Sequence, residues 1–196
     1  MTPIICLLLL LSGFRPAPDV RIAPAALFDR GLTWEQFPSS VTVQRELWLK
    51  NAAAATIPPG LSERLTRVSQ GLRLVIVAED SCTDSVNTVP YIARLASSAH
   101  VDVRVIGRAL GEPLMKRHLA PGGRTATPVV VFVRNGRDVG AWVERPAVLQ
   151  KLFLSISANP DNGRRLAQRQ SWYDLDRGRT TLKELVALAE RTVVRR

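Results

Sequence analysis

Three apolar runs set the strongest limit on what this chain can fold into: "LRLVIV" at 72–77, "VDVRVI" at 101–106 and "PVVVFV" at 128–133. Rich in β-branched residues, they read as strands, the first of them of the kind buried on both faces. Between the first two, Val86, Val89, Ile92, Ala93 and Ala96 recur at spacings of three and four. That period predicts an amphipathic helix from Asp84 onward, with a kink at Pro90. "EPLMKRHLA" predicts a short helix before the third run, and "PGGRTAT" a loop leading into it. Asn135-Gly136 is a hairpin signal that returns "RDVGAWV" as an antiparallel partner. Strand, helix, strand, helix, strand and hairpin together describe an α/β fold with a mixed central sheet between two helical layers.

The flanks extend this core without repeats. "ALFDRGLTWEQFP", "VTVQRELWLKNAAAAT" and "PPGLSERLTRVSQG" carry apolar residues at helical spacing, giving a helical extension over 20–70 ahead of a core at 71–155. Arg145-Pro146 opens a further helix through Leu154. Residues 156–196 read as a loop, "SANPDNG", and a C-terminal helix, "TTLKELVALAERTVV", capped by Thr180 or Thr181. Residues 20–196 are thus expected to form one domain. The segment 1–19 is apolar at "MTPIICLLLLLSGF", of signal-peptide length and too short to span a bilayer, but it lacks a basic n-region and a small-residue cleavage site. It is either a weak export signal or the result of a start placed too far upstream; the second reading makes a cytoplasmic location the expectation and export the alternative.

Charge and cysteine count exclude several function classes. The net charge of +10 comes mostly from scattered arginines, and from Ala147 onward ten basic residues stand against five acidic ones. That is a basic tail with no aromatic residues interleaved as a stacking platform, so nucleic acid is not expected as a partner. Cys6 and Cys82 are the only cysteines, which leaves no disulfide framework and no cysteine-based zinc site. His100 and His118 read as structural or surface residues, and Trp34, Trp48, Trp142 and Trp172 as core or rim aromatics. No Gly-rich phosphate loop, Ser-His-Asp arrangement or glycosidase-type carboxylate pair is present. Neither a metal nor a resident cofactor is therefore expected, and any chemistry falls on Cys82.

Cys82 sits where the first strand gives way to the helix, a position at which the free N–H groups of the first turn favour a thiolate. Ser85 lies one turn on, so the site reads C-T-D-S. With Pro90 beyond it and Thr127-Pro128 opening the third strand, the pattern resembles the thioredoxin superfamily. It is most similar to a bacterial thioredoxin-like branch in which "GLTWEQF", "GRTATP" and "WVERP" have counterparts, here ending at Phe37, Pro128 and Pro146. The resemblance spans roughly Leu32 to Leu188. It implies a thioredoxin-like three-layer α/β/α fold, with Cys82 as the nucleophile and a cis-proline at Pro128 facing it. It further implies substrate docking on Thr127 and Pro128, with protein or small-molecule thiols and disulfides as partners and glutathione as a co-substrate. The chain departs from that branch at Ser81, where an aromatic residue is usual, and at Ser85, which replaces the resolving cysteine. Only monothiol chemistry is then open, with Ser85 as an auxiliary donor. Glu79, Asp80 and Asp84 place negative charge around the thiol, and Arg124 is the cation expected to counter it. The competing reading is a redox-inactive binding module in which Cys82 is a small buried hydrophobe and the Pro128 groove takes an extended peptide.

Overall fold

The structure, a computed structural model, describes residues 23–156 and 162–194. Its four strands are β1 (Leu72–Val77), β2 (Asp102–Ile106), β3 (Val129–Arg134) and β4 (Arg137–Val143), in the spatial order β2-β1-β3-β4. β2 runs parallel to β1, while β3 is antiparallel to both β1 and β4. The parallel pair needs a crossover, and α5 (Thr83–Ser98) supplies it. β3 and β4 need only the Asn135-Gly136 turn, whose residues both have positive φ, 50° and 75°.

The continuous apolar runs divide their side chains between the two faces. Leu74, Ile76, Val130 and Phe132 enter one core, with Trp48, Leu65, Ile92, Leu95 and Val186. Val75, Val77, Val129, Val131 and Val133 enter the other, with Leu27, Phe28, Leu114 and Met115. The first layer is built from α3 (Arg45–Ala54), α4 (Leu61–Arg67), α5 and α9 (Arg179–Val194); the opposite layer is α1 (Pro24–Asp29) and α6 (Arg108–Arg117). Every residue of β3 is buried, which explains why it shows no polar alternation. α6 approaches the sheet so closely that a Cβ on Gly111 would stand 2.3 Å from Val77 Cγ1. The helical extension is fastened to the β2 edge by reciprocal backbone bonds between Leu32 and Val105, at 2.9 and 2.8 Å. The mixed α/β architecture is thus the one expected.

The element list departs from expectation in four places. "ALFDRGLTWEQFP" is not one helix: α1 stops at Asp29, Gly31 presses on Arg104, and α2 (Phe37–Ser40) starts only after the Leu32 bridge. α6 begins at Arg108, capped by an extended Gly107, so that Pro113 lies inside it and not at its start. A further helix, α8 (Asn162–Asp176), follows α7 (Ala147–Ile156). Neither Thr180 nor Thr181 caps α9; the Asp176 carboxylate accepts from the Thr180 backbone N–H at 3.0 Å. Of the loop expected at 157–163, Asn162 and Gly163 are in α8, and residues 157–161, like the apolar segment 1–19, lie outside the described residues. Among those described, no helix is long and apolar enough to cross a membrane.

β4 carries a bulge at Val139, between the pairings of Phe132 with Gly140 and of Val133 with Asp138, and the Asp138 carboxylate spans it. One Asp138 oxygen accepts from Gly140 N–H at 3.1 Å, and the other meets Arg117 Nη1 at 3.2 Å and His118 Nε2 at 2.6 Å, tying α6 to the sheet edge. Burial alone would raise the Asp138 carboxyl, but the His118 and Arg117 contacts together hold it below its ordinary value. A carboxylate lowered on folding contributes stability that is full above its unfolded pKa, near 3.9, and lost as pH falls through the folded value. Asp138→Asn is expected to flatten the acid limb of stability between about pH 5 and pH 3, read by urea unfolding. An unchanged limb would show that Asp138 does not carry it.

Candidate functional site

β1 ends at Val77, and the chain turns through Glu79 to Cys82, where the Cys82 N–H donates to the Glu79 carbonyl at 3.1 Å. Cys82 is the N-cap of α5, extended at φ −82° and ψ 118°, and its carbonyl accepts the first helical bond from Val86 at 3.0 Å. The side chain makes no capping bond and is half-buried. Its thiol donates to the Thr127 carbonyl at 3.3 Å, across a Thr127–Pro128 peptide that is cis. Cys82, Thr127 and Pro128 are therefore brought together. Ser85 is wholly buried one turn on, and its hydroxyl has no hydrogen-bond partner, so it is not engaged with the sulfur.

The three acidic neighbours of Cys82 each have a fixed role. Asp80 points away from the thiol and caps the start of the α3 segment: its Oδ2 accepts from the Thr42 and Val43 N–H groups, both at 2.9 Å. Those bonds, Val43's foremost, hold the carboxyl below its ordinary value despite some burial. The Asp80 carbonyl accepts from the Trp48 indole at 3.1 Å, so the helical extension grips the loop just ahead of the thiol. Glu79 Oε2 accepts from Arg108 at 2.9 Å and from the Thr127 hydroxyl at 3.1 Å.

Asp84, at the first turn of α5, belongs to a buried ion network. Its Oδ2 faces Arg145 Nη2 at 2.7 Å and Arg169 Nη1 at 3.5 Å, and its Oδ1 accepts from the Tyr173 hydroxyl at 2.7 Å. Glu144 lies between Arg145 and Arg124, the latter at 2.5 Å. Charges this deep persist only when paired and hydrogen-bonded. Burial first, and then the Asp84 charge, push the Tyr173 phenol well above its ordinary value, so it stays a donor. Glu144 also adopts φ 68°, and its N–H donates to the Pro128 carbonyl at 2.7 Å, which links the network to the proline loop. The Arg145 guanidinium lies over the Phe153 ring at 4.2 Å.

This corrects the expected electrostatics. Arg124 counters Glu144, whereas Asp84 is countered by Arg145 and Arg169. Arg145 entered the sequence reading only as the residue opening α7, and Arg169 and Tyr173 lie on the unforeseen α8. The visible signal was the spacing of Leu166, Arg169, Gln170 and Tyr173, one face of a helix. Among the described residues no three His, Cys, Asp or Glu side chains gather as a metal site.

A 21% identical solved structure, a protein of unknown function from Pseudomonas aeruginosa, superposes with a TM-score of 0.67 over 86% of this chain and 97% of its own. An HIV epitope scaffold at 18% identity superposes with a TM-score of 0.66 over 86% of this chain and 98% of its own. Both likenesses speak to the fold alone. No curated protein matches the chain. The thioredoxin family model matches residues 31–162, more than half of the chain and inclusive of β1 to β4, Cys82 and Pro128, and the protein belongs to the thioredoxin family.

Proposed function

We propose that the protein is a monothiol thiol-disulfide oxidoreductase in which Cys82 is the nucleophile and Thr127 and Pro128 dock the substrate backbone. The carrying observation is the placement of a half-buried Cys82 sulfur at the start of a sixteen-residue helix, against the Thr127 carbonyl. The Cys82 thiolate attacks one sulfur of a disulfide RS–SR′, forms Cys82–S–S–R and expels R′S⁻. With Ser85 in place of a second thiol, an external thiolate attacks the mixed disulfide, restores Cys82 and leaves with R in a new disulfide. Glutathione fits the external role as a small, abundant thiol.

The test is alkylation by iodoacetamide near neutral pH, with the labelled peptide identified by mass spectrometry so that Cys82 and Cys6 are told apart. Cys82 is expected to label in the native protein and, in the presence of glutathione disulfide, to gain a glutathionyl adduct that Cys82→Ser abolishes. Labelling only after unfolding defeats the proposal. The second reading, a redox-inactive module that binds an extended peptide at Pro128, is favoured by the idle Ser85 hydroxyl, which no partner employs. It expects peptide binding to survive Cys82→Ser.

A further inference from the structure

β4 is the outer strand of the sheet, so among the described residues one row of its backbone groups has no strand partner. The ladder tells which row. The Glu144 N–H donates to the Pro128 carbonyl, and along an antiparallel pair the bonded and non-bonded positions alternate. Trp142 therefore turns its N–H and C=O toward β3, while Ala141 and Val143 turn theirs outward. The Val143 carbonyl is taken by the Arg145 N–H at 2.9 Å, which leaves the Val143 N–H and both Ala141 groups. A groove of about 720 Å³, lined also by α7 and α9, lies at this edge. Ala141, Trp142 and Val143 line it in succession; because successive strand residues face opposite ways, it follows the rim of the sheet and not one face.

The side chains around it leave a particular set of groups unanswered. Ala187 and Leu188 of α9 and Leu154 of α7, the last 55% exposed, give it apolar walls. Two lining residues are buried with idle polar atoms. Gln150, 8% exposed, has a side-chain oxygen with no donor, and Arg145, 6% exposed, reaches the ion network through Nη2 while its Nε and Nη1 have no acceptor. Buried polar atoms without partners are costly, and here they call for one donor and one acceptor side by side. A peptide unit carries both. The charge at the groove is also one-sided: Lys151 and Arg191 are exposed and have no partner among the described residues, whereas the one carboxylate, Glu184, already accepts from the Trp142 indole and the Ala147 N–H, both at 2.8 Å.

We propose that this edge is a docking surface for an extended acidic segment of another protein, which adds to β4 as a further strand and sets its carboxylates against Lys151 and Arg191. The mode is strand addition: backbone bonds to Ala141 and Val143 supply affinity, and the basic rim supplies selectivity. A second copy of the chain, itself at +10, would bring like charge to that rim. The surface is separate from Cys82 and does not depend on its chemistry.

The experiment measures fluorescence anisotropy with three labelled nonapeptides: alternating valine and glutamate, the same with lysine for glutamate, and the acidic one with every backbone amide N-methylated. The acidic peptide is expected to bind at least about tenfold more tightly than the lysine one, and N-methylation to abolish its binding. Lys151→Glu with Arg191→Glu is expected to lower the acidic-to-lysine preference by about tenfold or more. Lys50→Glu with Arg94→Glu, exposed on α3 and α5, makes the same change in net charge and is expected to leave the preference within about threefold. No saturable binding of the acidic peptide, binding that survives N-methylation, or a control pair as potent as the rim pair overturns the assignment. A dimer in sedimentation that Leu154→Glu splits gives the groove to a second copy and overturns it too.

Discussion

Ser85→Cys is expected to give a site that has a single thiol the means to close a disulfide of its own. The position favours it: Ser85 is one helical turn from Cys82, fully buried, and its hydroxyl makes no hydrogen bond that a thiol would forfeit. Intramolecular attack replaces an encounter with an external thiol, so insulin reduction should rise on the order of tenfold or more over the natural chain. Under mild oxidation the variant should lose two titratable thiols per molecule and recover both with dithiothreitol. None of the three nearby carboxylates is left without a partner: Glu79 meets Arg108, Asp80 the Thr42 and Val43 N–H groups, and Asp84 Arg145. If both thiols persist after oxidation, the junction does not have the geometry described, and Cys82 is a packing residue.

Breaking the ion network is expected to cost more than any surface change. Asp84 and Arg145 side chains are each only 4% exposed. Removing one partner strands the other in a medium that solvates it poorly, a loss of about 3–5 kcal/mol for Asp84→Ala or Arg145→Ala. Arg145→Ala weakens two carboxylates at once, Asp84 and Glu144, which keep only Arg169 with Tyr173 and Arg124 respectively. Asp84→Asn should cost less, since the amide oxygen still accepts from Tyr173 or Arg145. The combination Asp84→Leu with Arg145→Met should be milder than the sum of the two single losses, because the closest pair of charges is removed together and only Arg169 and the Tyr173 hydroxyl lose their acceptor. Urea unfolding of the four variants measures this; additive losses would show that the two side chains are not coupled.

What the sequence disclosed and what it hid follow from how each element is buried. β1 and β3 were legible because strands covered on both faces need unbroken apolar runs, and β4 because Asn135-Gly136 suits a tight hairpin turn. The thiol, the cis-proline loop and the start of α5 were legible because Cys82, Ser85 and Thr127-Pro128 stand at fixed places relative to those strands. α8 was hidden by its polarity: "NGRRLAQRQSWYDLD" shows no apolar stripe, since its inward face meets a carboxylate through Arg169 and Tyr173. Arg124 was misassigned for a related reason. Its place just ahead of the proline loop that faces the thiol pointed it at the acids, whereas the hairpin brings Arg145 to Asp84 from 61 residues away. Hydrophobic period reports which face is dry, and says nothing of which buried charges meet.

The bond between Tyr173 and Asp84 spans 89 residues, and the Asp84–Arg145 pair spans 61. A chain emerging from the ribosome therefore exposes Cys82 and Asp84 long before Arg145, Arg169 and Tyr173 exist to receive them. Through that interval the Asp84 carboxylate, two residues beyond the thiol, has no countercharge. Assembly of the site is among the last events of biosynthesis, not the first. Non-local closure of this kind is also slow. Nascent chains should accordingly pass through a window, while the final quarter of the protein is still being made, in which Cys82 is more open to alkylation than in the folded protein.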